Sequence, residues 1–108
     1  MYWEVVNVEA KDGFEIVLST TPEDMPPDWD ETEEQRAETL RKIEDGTWLY
    51  FIARVEACKE GIALGTSYLG GCCYENMQQF LKESDDYYQD MVHEAIEEAR
   101  ARINRFKE

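Results

Sequence analysis

His93, Cys58, Cys72 and Cys73 are the side chains of this chain best suited to covalent or metal chemistry. A thiolate made by proton transfer to His93 would be a nucleophile, and Cys72 or Cys73 could supply the thiol. No flanking motif supports such a pair. The same four side chains are zinc-type donors, but no C-x-x-C or H-x-x-x-H spacing groups them. Residues 65–71 (Gly-Thr-Ser-Tyr-Leu-Gly-Gly) are glycine-rich, yet they contain no lysine and no Gly-Lys-Ser/Thr ending. They are not a phosphate loop, and a bulge or close packing accounts for them better. Asp24, Asp28, Asp30 and Glu31 could approach a cation, but they lack the D-x-D-x-D-G order of a calcium loop and two prolines interrupt them. Carboxylate pairs of the glycosidase kind carry no information where acids occur throughout. The sequence therefore predicts no catalytic residue, no metal site and no cofactor.

The chemistry that remains is charge. Twenty-five acids against eleven bases leave −14 on 108 residues. Such a surface repels nucleic acid and anionic membrane, and attracts basic partners. Solubility alone is served by a net charge of magnitude ~2–8 in a small domain. The charge is also concentrated: residues 21–46 hold ten acids and three bases, residues 71–90 five acids and one base, and residues 91–108 four of each.

The length fits one domain with one modest core, and three Trp, six Tyr and four Phe supply bulky side chains for it. No apolar run approaches the ~18 residues of a membrane span. The first residues show no signal-peptide pattern, so a cytosolic setting is expected. The cysteine count is odd and two are adjacent, which favours free thiols in a reducing compartment.

Alternation and turn residues place the elements. Residues 2–9 read as a strand, residues 11–13 (Lys-Asp-Gly) as a turn, and residues 14–19 as a return strand with Phe14, Ile16 and Leu18 on one face. Thr21-Pro22 should end that strand, and residues 22–31, with all three prolines and five acids, read as a loop. Thr32 and Gln35 have the form of a capping box for a helix to about Asp45, with Gly46 as the stop and Ala37, Leu40 and Ile43 as its apolar side. Residues 48–57 alternate as a strand, with Leu49, Phe51, Ala53, Val55 and Ala57 on one face and Trp48, Tyr50, Ile52, Arg54 and Glu56 on a half-aromatic second face. A turn at 59–61 leads to a strand from Ile62, broken or bulged at 65–67, with a further strand over 68–74. A short helix over 75–83 turns Met77, Phe80 and Leu81 inward, and Ser84 caps a last helix from near Asp85. Tyr88, Met91, Val92, Ala95, Ile96, Ala99, Ile103 and Phe106 recur there at helical spacing. The order ββαββαα predicts an α+β fold: an antiparallel sheet of about four strands packed against two or three helices.

On these helices the acids form rows. Glu34, Glu38 and Asp45 fall opposite the apolar side of the first helix, with Glu31 extending the row, and Asp86, Asp90, Glu94 and Glu97 form a second row on the last helix. Carboxylates one turn apart are ~5–6 Å apart along the axis, against ~3.4 Å per phosphate of a duplex strand. A basic groove could accept such a row, although any surface helix presents polar residues opposite its apolar stripe. Trp29, among the acids of the loop, suits a binding hot spot or a plug folded back on the sheet. The candidate binding residues are Asp28, Trp29, Asp30, Glu31, Glu34, Glu38, Asp86, Asp90 and Glu94.

The stretches 48–57 (Trp-Leu-Tyr-Phe-Ile-Ala-Arg-Val-Glu-Ala) and 61–74 (Gly-Ile-Ala-Leu-Gly-Thr-Ser-Tyr-Leu-Gly-Gly-Cys-Cys-Tyr) resemble short reading frames of bacteriophages and mobile elements. Size and acidity are similar in type to phage anti-defence proteins, the anti-CRISPR and anti-restriction DNA mimics. That resemblance transfers no individual residue. It implies a stoichiometric, non-enzymatic inhibitor of a basic nucleic-acid-binding protein or complex in the cytoplasm of a host bacterial cell. Direct contact with nucleic acid or membrane is not expected. The alternative is a phage or plasmid accessory protein, monomer or homodimer, that self-associates or binds a structural partner through Trp48, Tyr50 and Ile52.

Overall fold

A computed structural model describes residues 2–23, 32–83 and 87–107. The fold is α+β, a four-stranded antiparallel sheet in the order β1-β2-β3-β4 with three helices. β1 (Glu4–Lys11) and β2 (Phe14–Pro22) form a hairpin whose turn residues, Asp12 and Gly13, both have positive φ, the two-residue geometry that Asp-Gly favours. α1 (Glu33–Glu44) separates β2 from β3 (Leu49–Lys59), and β4 (Ile62–Tyr74) returns antiparallel to β3. α2 (Met77–Glu83) and α3 (Tyr87–Lys107) close the chain.

β2 continues past the alternating residues 14–19 and ends at Pro22, as expected: Thr21 pairs with Ile52 and Pro22 with Phe51. Proline is tolerated because β1 reaches only Thr20, so β2 is an edge strand by that point. β4 is one strand rather than two, since bulges opposite Phe51/Ala53 and Ala57/Cys58 absorb the irregular residues without ending the pairing.

Phe14, Ile16 and Leu18 of β2 and Phe51, Ala53, Val55 and Ala57 of β3 meet Tyr88, Met91, Val92, Ala95, Ile96 and Ala99 of α3 in one buried cluster. Phe80 of α2 is fully buried, edge-on to Phe51, Tyr74 and Tyr88. Gly65 sets the approach of α3 to β4: a Cβ there would collide with the Ala95 carbonyl oxygen and lie 2.7 Å from the Ala99 nitrogen. Two expected core residues are outside it. Leu49, at the start of β3, is 39% exposed, and Phe106, near the end of α3, is 81% exposed.

The second face of the sheet carries no helix. Trp3 lies on it, with the Arg54 guanidinium carbon 4.3 Å from the Trp3 ring centre and the Tyr68 ring, on the residue paired with Arg54, 6.1 Å away. Ser19, paired across the strands with Arg54, is fully buried. Val5, Val8 and Tyr68 remain more than half exposed on this face.

α1 has the expected cap: the Gln35 amide donates to Thr32 Oγ1 at 3.1 Å, and the Thr32 amide donates to Gln35 Oε1. Its stop is also as expected, with Gly46 at positive φ after Asp45. The Thr47 hydroxyl and amide donate to Asp45, which holds that carboxyl below its usual range. The expected apolar side is not a packed face, however. Ala37 is exposed, Leu40 is 37% exposed, Ile43 is half-buried, and Thr39 is the buried residue of the helix. The cap and the stop are local, whereas packing needs an opposing surface, and none of the sheet lies against Ala37 and Leu40.

Candidate acidic site and the pocket beside it

Four of the expected binding residues are in the described structure. Glu34 and Glu38 are exposed on α1, and Asp90 and Glu94 are exposed on α3. Asp28, Trp29, Asp30, Glu31 and Asp86 lie outside the described residues. Two of the four are engaged within the fold. Glu38 pairs with Lys42 one turn on, at 3.6 Å. Glu94 accepts a hydrogen bond from the Ser67 hydroxyl at 2.8 Å, so it borders the packed face and is not opposite it as the helical projection placed it. Helix rotation against β4 decides this, since Ala95 must face Gly65 and that brings Glu94 over Ser67. Glu34 and Asp90 have no ion-pair partner among the described residues.

Few carboxylates are neutralised internally. The described ion pairs are Glu38–Lys42, Glu56–Arg54, Glu97–His93, Asp12–Arg100 and Glu98–Arg102. Glu4, Glu15, Glu33, Glu34, Glu44, Glu60, Glu75 and Asp90 are exposed without one among the described residues. The body that carries them is slender, 56 × 27 × 21 Å, with a radius of gyration of 16.0 Å against about 13 Å for a compact chain of this length.

A cavity of about 570 Å³ opens beside the end of β4, lined also by Trp48 just before β3, Gln79 of α2 and Tyr87 at the start of α3. Trp48 enters from the α1 side: its amide donates to the Lys42 carbonyl, and the Lys42 ammonium lies 4.5 Å from its ring centre. Tyr87 enters as the first residue of α3. Gly70, Gly71, Cys72, Cys73, Tyr74 and Glu75 supply the β4 wall. The Gly70-Gly71 bulge, with Gly71 at positive φ, widens the strand there. Near Gly70 is Glu23, whose Oε2 is buried without a hydrogen-bond partner among the described residues. No spacing pattern marks this pocket, because Trp48 and Tyr87 are distant in the chain and each reads as an ordinary strand or helix aromatic.

The residues capable of nucleophilic or metal chemistry do not converge. His93 is on the exposed side of α3, its Nε2 3.0 Å from Glu97. Cys72 donates to the Leu69 carbonyl, and burial pushes its thiol up to about 11. Burial, with Glu56 and Glu15 nearby, also raises Cys58. Protonated thiols are poor nucleophiles and poor metal ligands. All three cysteines are free, and no His/Cys/Asp/Glu group suited to a metal occurs among the described residues. No described helix is long and apolar enough to cross a membrane. Comparison with protein families, curated proteins and solved structures finds no match to this chain.

Proposed function

We propose that this protein is a non-enzymatic, stoichiometric inhibitor of a bacterial nucleic-acid-binding defence complex, acting in the host cytoplasm. Its acidic helices occupy a Lys/Arg groove that otherwise holds nucleic acid. The observation that carries the reading is the set of exposed carboxylates, most of them without an ion-pair partner among the described residues, on a body 27 × 21 Å in cross-section. A groove built for phosphates already has its cations arranged, so a rigid carboxylate surface meets them at little ordering cost. Binding of this kind is fast and salt-sensitive. The test is capture of partners from bacterial lysate, followed by a nucleic-acid gel shift of the captured complex with and without the protein. Glu34→Lys, Glu38→Lys and Asp90→Lys together should abolish capture and inhibition. Glu4→Lys, Glu15→Lys and Glu60→Lys change net charge equally and should cost far less. Equal losses would reduce the reading to bulk acidity, and no loss from either set would end it.

A second reading is self-association through the helix-free sheet face. Exposed Val5, Val8 and Tyr68 favour it, and they replace Trp48, Tyr50 and Ile52 as its centre because those three are half-buried. Light scattering after size exclusion separates the two: a dimer lost on Val8→Asp with Tyr68→Asp supports association.

A further inference from the structure

We infer that the pocket beside the end of β4 receives a guanidinium group, supplied by an arginine side chain of the basic partner. The identity of the source rests on the function proposed above, whereas the preference for a guanidinium rests on the pocket's own residues.

Three aromatic side chains, Trp48, Tyr74 and Tyr87, line the cavity, and no Lys, Arg or His does so among the described residues. Aromatic faces attract cations, and a planar, weakly hydrated guanidinium stacks on them better than an ammonium. The chain uses this contact itself at Lys42–Trp48 and Arg54–Trp3. Glu75 contributes an exposed carboxylate to the lining. The second negative group is Glu23. A Cβ on Gly70, a lining residue, would sit 3.8 Å from its Oε2, so this carboxylate lies close to the cavity wall without being part of it. A buried carboxylate oxygen without a donor is costly, and its field is poorly screened in the interior. A cation in the cavity would offset that cost. The volume lies within the range of about 300–1,000 Å³ common to ligand sites. Arginine in an aromatic-walled pocket is also the usual composition of an interface hot spot.

The test uses the full chain, 15N-labelled, titrated with N-acetyl-arginine methylamide and separately with the citrulline analogue, which has nearly the same shape but no charge. The arginine compound should move the Trp48 indole N–H and the Gly70, Gly71 and Cys73 amides, with a Kd on the order of millimolar. Citrulline should bind at least about tenfold more weakly. Glu23→Gln and Tyr87→Ala should each weaken the arginine response several-fold, while Glu60→Gln, an equal charge change at a distant turn, should leave it intact. Equal response to both compounds, shifts confined to exposed acids, or no shift would overturn the inference. In partner capture, Tyr87→Ala and Glu23→Gln should weaken binding about tenfold. If they abolish the arginine response but leave capture unchanged, the guanidinium does not come from the partner. If the charge-reversed helices capture normally while the pocket still selects arginine over citrulline, the proposed function fails and the pocket's chemistry stands.

Discussion

Helix α3 buries six side chains against the sheet, from Tyr88 to Ala99, whereas α1 buries Thr39. Both sequences carry apolar residues at helical spacing and acids on the remaining surface. They differ in what stands opposite. α3 crosses β3 and β4, where Gly65 and small alanines allow backbone-to-backbone approach. α1 leaves the sheet at Pro22 and returns at Leu49, held by its own cap and by the Lys42–Trp48 contact at its end. Amphipathic spacing therefore marks a helix that can dock, and the layout of the sheet decides whether it does. α3 thus carries the packing, and α1 presents exposed carboxylates at little cost to the core.

The contrast can be broken most forcefully at Gly65. Gly65→Val places a side chain into the Ala95–Ala99 backbone and should remove about 3 kcal/mol or more of stability, or prevent folding, as read by urea denaturation. A mild effect would mean that α3 does not lie as close to β4 as Gly65 requires. Next comes a matched pair of truncations. Ile96→Ala should cost about 3 kcal/mol, and Leu40→Ala less than about 1 kcal/mol. Similar losses would show that α1 is packed after all.

A third measurement sharpens the picture of the buried β4 end. The Cys72 thiol titrates near 11 in the fold and near its ordinary 9.0 when unfolded. Between those values the folded chain holds a proton that the unfolded chain has lost, so stability falls as pH rises. The loss from this group should be on the order of 2 kcal/mol across that window. The slope of stability against pH in wild type, minus that of Cys72→Ala, isolates it, and parallel slopes would refute it. Tyr88, raised chiefly by burial, adds a loss of the same sign at higher pH.

The smallest effect should come from the α1 cap. Thr32→Ala removes one hydrogen bond of the box and should weaken the helix by about 1 kcal/mol. Because α1 buries little besides Thr39, that loss should appear in amide exchange of residues 35–44 and hardly in the global urea midpoint. An equal shift in global stability would tie α1 to the cooperative unit.

Much of this fold was legible in the sequence because its signals are local. Asp12-Gly13 dictates its hairpin, Thr32 and Gln35 dictate their cap, and Phe14, Ile16 and Leu18 alternate without ambiguity. The net charge of −14 and its concentration in two stretches also belong to the sequence alone. Tertiary structure decided matters that depend on residues far apart in the chain. It left Leu40 and Phe106 exposed, and it turned Glu94 toward Ser67 because Ala95 had to meet Gly65. It also joined Trp48, Gly70 and Tyr87 around one cavity with Glu23 close to its wall. No spacing rule links those positions, since a strand end, a bulge and a helix start come together only when the sheet and α3 have packed.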